Sequence, residues 1–309
     1  RSLFLLSLPL IGGHIAQILI GVGDTLIVGR YSTEALAALV LGTTIFFIIF
    51  IFGAGFSFAA MALVSTANTE GNTLKIRRIT RMAIWLSLAF GFLVSPLFVF
   101  SEKLLLLLGQ ELNLAVLASE YLIYSGIAIF PALSSSVLRC YLAGMEYVKV
   151  TFYISIIAVL LNLLINYLLV FGMFGLPELG IVGAGIATVF VNLFMLISFV
   201  IYAKIKLPQH KLFVRFWRPD RGVIGLVLKM GSAIGITNMA EAGLFSASSI
   251  MMGWVGQLEL AAHGIALQLA SITFMLHLGL SDAATIRVSS ALGKKNKHEI
   301  ISECLAALI

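Results

Sequence analysis

The sequence predicts an all-α, polytopic membrane protein made of two parallel six-helix repeats, the second of them incomplete. Three observations carry this. The 309 residues are 60% hydrophobic and only 11% charged, where soluble domains are roughly half apolar and a quarter charged. Mean hydropathy is +1.07, and apolar runs of about 20 residues, the length a helix needs to cross the hydrocarbon core, recur along the chain. Finally, 18 of the 20 Lys and Arg residues fall in loops on one side of those runs. A soluble globule with one core and a disordered chain are both excluded.

The apolar windows lie near 3–28, 37–66, 82–101, 115–138, 151–173, 181–203, 224–253 and 260–282, with a ninth starting near Ile300. One side holds Arg1, then Lys75, Arg77, Arg78 and Arg81, then Arg139 and Lys149. The same side holds seven cations from Lys204 to Lys229, and then Arg287, Lys294, Lys295 and Lys297. Only Arg30 and Lys103 fall on the other side. The positive-inside rule then places the N-terminus in the cytoplasm and the protein in the cell membrane. The basic loop from Lys204 to Lys229 carries Phe213, Phe216 and Trp217. Nucleic-acid patches share that composition, but a loop joining two spans on the basic side reads as a membrane-interface anchor, with no nucleic-acid partner. Cys140 and Cys304 form no C-x-x-C and read as free thiols.

An offset of 224 aligns the chain with itself. Over Gly55–Ile76 against Gly279–Ile300, nine of 22 positions are identical. They are Gly55/Gly279, Ser57/Ser281, Ala59/Ala283, Ala60/Ala284, Val64/Val288, Ser65/Ser289, Ala67/Ala291, Asn72/Asn296 and Ile76/Ile300. Upstream, Gly29, Leu36, Ala37 and Ala38 meet Gly253, Leu260, Ala261 and Ala262. Six spans separate the copies, and an even number preserves orientation, so the repeats are parallel about an axis along the membrane normal. Transporters use that arrangement, with the substrate path between two lobes. The expected division is 1–221 for a first lobe with its basic linker and 222–309 for a partial second lobe. Counterparts of the third to sixth spans are almost wholly absent from the second copy, so the chain reads as truncated at its C-terminus.

Acids inside spans carry the sharpest functional signal, because a central charge costs ~2.5–3.5 kcal/mol on insertion scales. Asp24 lies in the first span and Glu241 in the seventh. His14, Gln17, Gly21 and Asp24 follow a 3-4-3 spacing that gathers them on one helix side, and the repeat carries these places to Asn238, Glu241, Phe245 and Ser248. The fifth span adds Asn162 and Asn166, and the sixth adds Thr188 and Asn192, each an i, i+4 pair. Amide carbonyls coordinate Na⁺ or accept from a protonated carboxyl, and amide N–H groups stabilise an ionised one. The same side chains also suit interhelical hydrogen-bond networks, and both readings stay open at this level. Gly180, Gly183 and Gly185, like Gly231 and Gly235, suit close helix packing. Pro9, Pro96 and Pro131 fall within or near spans, as gating bends or static kinks.

An intramembrane aspartyl protease deserves comparison, because Gly21-Val22-Gly23-Asp24 fits its G-x-G-D pattern. That chemistry needs two carboxylates sharing a proton. Asp220 falls in a loop and Asp282 at a span's inner end, and the five His residues show no zinc spacing. No enzyme and no cofactor are expected.

The chain resembles the multidrug and toxic compound extrusion (MATE) family along its whole length. The marks are Leu8-Pro9, Gly23-Asp24-Thr25 to Gly29, and Leu36-Ala37-Ala38. Leu161-Asn162-Leu163-Leu164-Ile165-Asn166-Tyr167 and Gly183-Ala184-Gly185-Ile186-Ala187-Thr188 follow. The last are Glu241, Ala261-Ala262-His263 and Arg287-Val288-Ser289-Ser290-Ala291-Leu292-Gly293. The resemblance implies a twelve-helix antiporter that exports small organic cations against Na⁺ or H⁺, embedded in the lipid bilayer and with no obligate protein partner. It implies that Asp24 is the first lobe's coupling acid, beside Asn162, Asn166 and Thr188. Glu241 is implied as the second lobe's cation-site acid, with Na⁺ held at Asp24 or Glu241. His14, Gln17, Asn192, Asn238 and Ser248 are candidates to line the cavity. Some relatives carry Asp at the position of Asn166, a departure that bears on the ion at this site. A related flippase of lipid-linked saccharides is the alternative. It would carry inward-facing Arg or Lys for pyrophosphate, and none lies in a span core here.

Overall fold

The computed structural model describes residues 2–175, 177–255, 257–295 and 297–308. Ten α-helices run through them: α1 (Ser2–Tyr31), α2 (Thr33–Thr69), α3 (Thr73–Val99), α4 (Ser101–Leu107), α5 (Leu112–Gly144), α6 (Val148–Val170), α7 (Gly180–Lys206), α8 (Arg221–Val255), α9 (Gln257–Gly293) and α10 (Lys297–Leu308). Each expected span centres on one helix, although the windows 82–101 and 151–173 run past the ends of α3 and α6, and α10 covers the start of the ninth. The short α4, between the third and fourth spans, has no counterpart in the hydropathy reading. Counted over described residues, seven helices are long and apolar enough to cross a membrane, namely α1 to α3 and α5 to α8. The eighth expected span coincides with α9, a continuous helix of 37 residues.

The helices overrun the apolar windows because their ends are capped by local chemistry. Ser32 opens α2 by accepting from the backbone N–H of Glu34 and Ala35 at 3.2 and 3.4 Å. Asn72 opens α3 by accepting from Lys75 N–H at 2.9 Å. At 37 residues, α2 is about 55 Å long and extends well past an apolar core of ~30 Å.

A helix boundary repeats at the offset found in the sequence. A shift of 224 carries the C-terminal end of α2 (69) onto that of α9 (293). Even the turn after α2 recurs. Gly71 at φ 67° and its counterpart Lys295 at φ 56° both take the left-handed conformation that ends a helix.

In the first lobe α5 is the central element, packed against α2, α3 and α7, while α1 lies along α6. Helices α8 and α9 join the rest through α8 on α2, α9 on α1 and α9 on α2, with α8 also against α3. Glycines set the α2–α8 and α1–α9 crossings. A Cβ on Gly55 would meet the backbone of Gly231 and Gly235, and one on Gly279, the repeat mate of Gly55, would meet Ile11. The close packing expected at Gly231 and Gly235 therefore occurs between lobes. Pro9, Pro96 and Pro131 all lie inside helices, in α1, α3 and α5.

The basic linker between α7 and α8 is folded onto the first lobe. Arg81 Nη1 donates to the Arg215 carbonyl at 2.7 Å, and Trp85 Nε1 to the Phe216 carbonyl at 3.0 Å. Arg78 pairs with Asp220 at 3.3 Å. Buried His210, in a short 3₁₀ turn, bonds the Tyr141 hydroxyl through Nδ1 at 2.6 Å. Phe213 and Phe216 pack against the core of α2, α3, α5 and α7, whereas Trp217 is 72% exposed. Two of the three linker aromatics thus face protein, because the first half of α3 offers them an apolar seat and hydrogen-bond donors. Cys140 and Cys304 are both free, the first buried and the second exposed.

Candidate ion and cation sites

Asp24 sits about three quarters of the way along α1, 4% exposed, against α6. Gly23 makes the approach possible, since a Cβ there would overlap the Leu163 side chain. The i, i+4 spacing of Asn162 and Asn166 aims both amides at the carboxylate, and both side chains are fully buried. Asn162 Nδ2 donates to Asp24 Oδ1 at 3.0 Å, and Asn166 Nδ2 at 2.6 Å. Two donors on one oxygen suit an ionised carboxylate. The price appears one atom away, where Oδ1 of Asn162 and Oδ1 of Asn166 are buried without a hydrogen-bond partner. A buried acceptor left unpaired costs ~1–3 kcal/mol. Turned over, each amide would present oxygen to a protonated carboxyl or a small cation, so this oxygen-rich donor set fits Na⁺ and H⁺ alike. Tyr121 of α5, fully buried, lies beside Thr188 near the same carboxylate. Thr188 itself donates to the Ala184 carbonyl at 3.0 Å and Asn192 to the Thr188 carbonyl at 2.8 Å. Asn192 is spent on its own helix, whereas the Thr188 hydroxyl also meets the Tyr121 side chain.

Glu241 lies elsewhere. It is exposed and lines a cleft of about 640 Å³ between α2 and the second lobe. Thr44, Phe47, Ile48 and Ile51 form one wall, with Asn238, Phe245, Phe274 and His277 among the residues opposite. An acid among aromatic and aliphatic side chains is the chemistry that holds a lipophilic cation. Ser248 is two turns further along α8 than Glu241, donating to the Phe245 carbonyl at 2.8 Å.

The two lobes are joined at the end that carries the basic loops. Ser65 donates to the Ile286 carbonyl at 2.8 Å, Thr66 to the Ser289 carbonyl at 3.1 Å, and Thr69 meets Ser290 at 2.9 Å between hydroxyl oxygens. A Cβ on Gly293 would meet Thr66 and Thr69, so the helices touch. The cleft lies toward the opposite end, along the first half of α2.

The stripe on α1 does not converge on one site. At about 100° per residue, ten residues leave Asp24 roughly 80° around the helix from His14. Asp24 therefore meets α6, while His14 meets α9 and bonds Asp282. Gln17 is half-buried between them and Gly21 is exposed. Asp282 is a residue the sequence reading passed over. It was placed at the end of a span, but α9 runs on to Gly293 and buries it. A lone His in an apolar helix asks for a polar partner, and that was the available signal. Among the described hydrogen bonds, Asp24 and Asp282 have separate partners, and no shared carboxylate pair of protease type is formed.

Fold and sites together define a class: a multi-pass helical membrane protein whose lobes repeat in parallel and meet over a polar seam and an acid-bearing cleft. The chain belongs to the MatE family, whose model matches residues 9–168 and 233–309. It is 44% identical over 303 residues to the "Probable multidrug resistance protein NorM" of Agrobacterium fabrum (strain C58), covering 97% of this chain and 65% of that protein. The protein of the same description from Rhizobium meliloti (strain 1021) is 42% identical over 310 residues, covering 100% and 66%. The chain thus spans about two thirds of the length of these relatives. Among solved structures, the "Outward-facing conformation of a multidrug resistance MATE family transporter of the MOP superfamily" matches with a TM-score of 0.84 at 19% identity, over 99% of this chain and 68% of that one. The "Crystal structure of MATE in the bent conformation" matches with a TM-score of 0.87 at 18% identity, over 99% and 68%. These likenesses establish the fold.

Proposed function

We propose that the protein exports small organic cations across the cell membrane in exchange for Na⁺ or H⁺, by alternating access between its lobes. The observation that carries this is the pairing of two buried or cleft-lining acids with a seam shut at one end and a cleft toward the other. With the basic loops in the cytoplasm, the arrangement corresponds to a cavity facing outward. In this scheme an ion or proton arriving from outside neutralises Asp24 or Glu241 and weakens the hold on a bound cation. The lobes then rock, and loss of the ion inside restores the carboxylate for the next cargo. Asn162 and Asn166 serve the exchange because their amides can offer N–H to a charged Asp24 or oxygen to a neutralised one. Thr188 and Tyr121 complete the polar wall. Residues 1–221 act as the first lobe with its linker, and 222–309 belong to the second.

Substrate charge follows from the cleft. Its described lining includes Glu241 and no Arg or Lys, which favours a cationic drug over the pyrophosphate of a lipid-linked saccharide. The test is flux in vesicles containing the full-length gene product. Asp24→Asn and Glu241→Gln should each lower ion-driven export of a fluorescent organic cation by at least tenfold. Export left intact in both variants would sink the scheme, and absence of ion-dependent flux in the parent protein would favour a non-transporting role.

A further inference from the structure

One polar contact between the lobes is used by neither acid site. We propose that His14 and Asp282 bolt the basic end of the seam, acting as positioning residues that set how often the cavity opens to each side. The inference rests on the transport reading above.

His14 of α1 is 4% exposed and Asp282 of α9 is 8% exposed. His14 Nε2 donates to Asp282 Oδ2 at 2.8 Å across 268 residues of chain. Around Asp282, α5 supplies Arg139 and Cys140, α6 supplies Thr151 and Ser155, and α2 supplies Met61, about a cavity of only about 10 Å³. That space holds at most about one water. A carboxylate so enclosed depends on its protein donors, and stripping one leaves a buried charge that costs more than the bond's net worth. Both groups can regain hydration only when α1 and α9 part, so the contact belongs to the closed state of this end.

Two comparisons single the pair out. Among the described residues, the other hydrogen bonds across the seam, from Ser65, Thr66 and Thr69, join neutral groups, and bonds to an ionised partner are roughly twice as strong. The repeat also makes the pair one-sided. At the offset of 224 His14 corresponds to Asn238 and Asp282 to Phe58, and a phenyl ring offers no acceptor like the carboxylate. The α1–α9 crossing therefore carries a bolt, while the equivalent α2–α8 crossing is a contact of glycine with backbone.

Closure of this end can be read by cross-linking in the full-length gene product, with Cys140 and Cys304 replaced by alanine. Thr69→Cys and Ser290→Cys place thiols where two hydroxyl oxygens now lie 2.9 Å apart, and the rate of disulfide formation reports closure. His14→Ala and Asp282→Ala should each lower that rate at least threefold. His14→Gln, which keeps an N–H donor, should retain at least half of it. Alanine variants that cross-link at the parent rate, or a Gln variant as slow as Ala, would overturn the bolt. Should the alanine variants not fold, isosteric Asp282→Asn carries the test, with a rate at least twofold below the parent supporting the bolt and a parent-like rate removing it. The closure rate is independent of cargo flux. Alanine variants that cross-link at the parent rate, in a protein that does export, remove this inference alone, whereas a parent protein without ion-driven flux removes the transport reading.

Discussion

At the scale of single residues, the buried carboxylate of Asp24 organises its surroundings. Its two amide donors come from one helix face, so the residues can be tested singly. Asn166→Ala removes the shorter bond, at 2.6 Å, to a group with few other donors. Hydrogen bonds to charged partners contribute about 1.5–3 kcal/mol, so a loss of about 2 kcal/mol is expected, seen as a lower thermal midpoint in detergent. Asn166→Asp should do more harm at neutral pH than at low pH, because a second carboxylate beside Asp24 is tolerated only when one of the two is protonated. This much was legible in the sequence. An acid in an apolar run is conspicuous, and an i, i+4 pair of asparagines in another span advertises a facing partner. The partnership of His14 with Asp282 was not legible, since nothing local links residues 268 apart. The 3-4-3 stripe concealed it further by suggesting a common destination.

At the scale of elements, hydropathy located every long helix but not its ends, because caps such as Ser32 and Asn72 are fixed by hydrogen bonds that a hydropathy window does not weigh. The same limit hid α4, seven residues long, and the docking of the linker. Position alone suggested a membrane-interface anchor, and the structure adds a clasp on α3 with His210 as a buried pin on Tyr141. Burial lowers the His210 pKa below its usual value of 6.5. The unfolded chain therefore binds more protons than the folded one below about pH 6.5, so the docking contribution is complete above that pH and is lost as pH falls. Thermal midpoints measured from pH 8 to pH 5 should drop below pH 6.5. His210→Gln, which can still bond the Tyr141 hydroxyl, should flatten that part of the profile relative to the parent.

At the scale of the whole molecule, the repeat read from the sequence recurs in the helix order, and the structure adds a left-handed residue in the turn after each copy of α2. What the repeat could not supply was how the copies face one another. That depends on Gly55, where added bulk would strike the backbone of Gly231 and Gly235. Backbone cannot swing aside as a side chain does. Gly55→Val should therefore push α8 from α2 at a cost of about 1–3 kcal/mol, detected as a lower midpoint and slower cross-linking between Thr69→Cys and Ser290→Cys. Leu8, 70% exposed on α1, offers a control position where Val should change little. The two crossings also have an ancestry written into them. Helix α2 meets α8, the counterpart of α1, and α9, the counterpart of α2, meets α1. Exchanging the copies maps each crossing onto the other, which is the contact pattern of an isologous dimer. A symmetric pair of identical subunits would have to carry any polar bolt twice or not at all. Tandem fusion into one chain lifts that constraint, and His14 with Asp282 shows what a fused pair can do that a dimer cannot: lock on one side of its axis and leave the other free to yield.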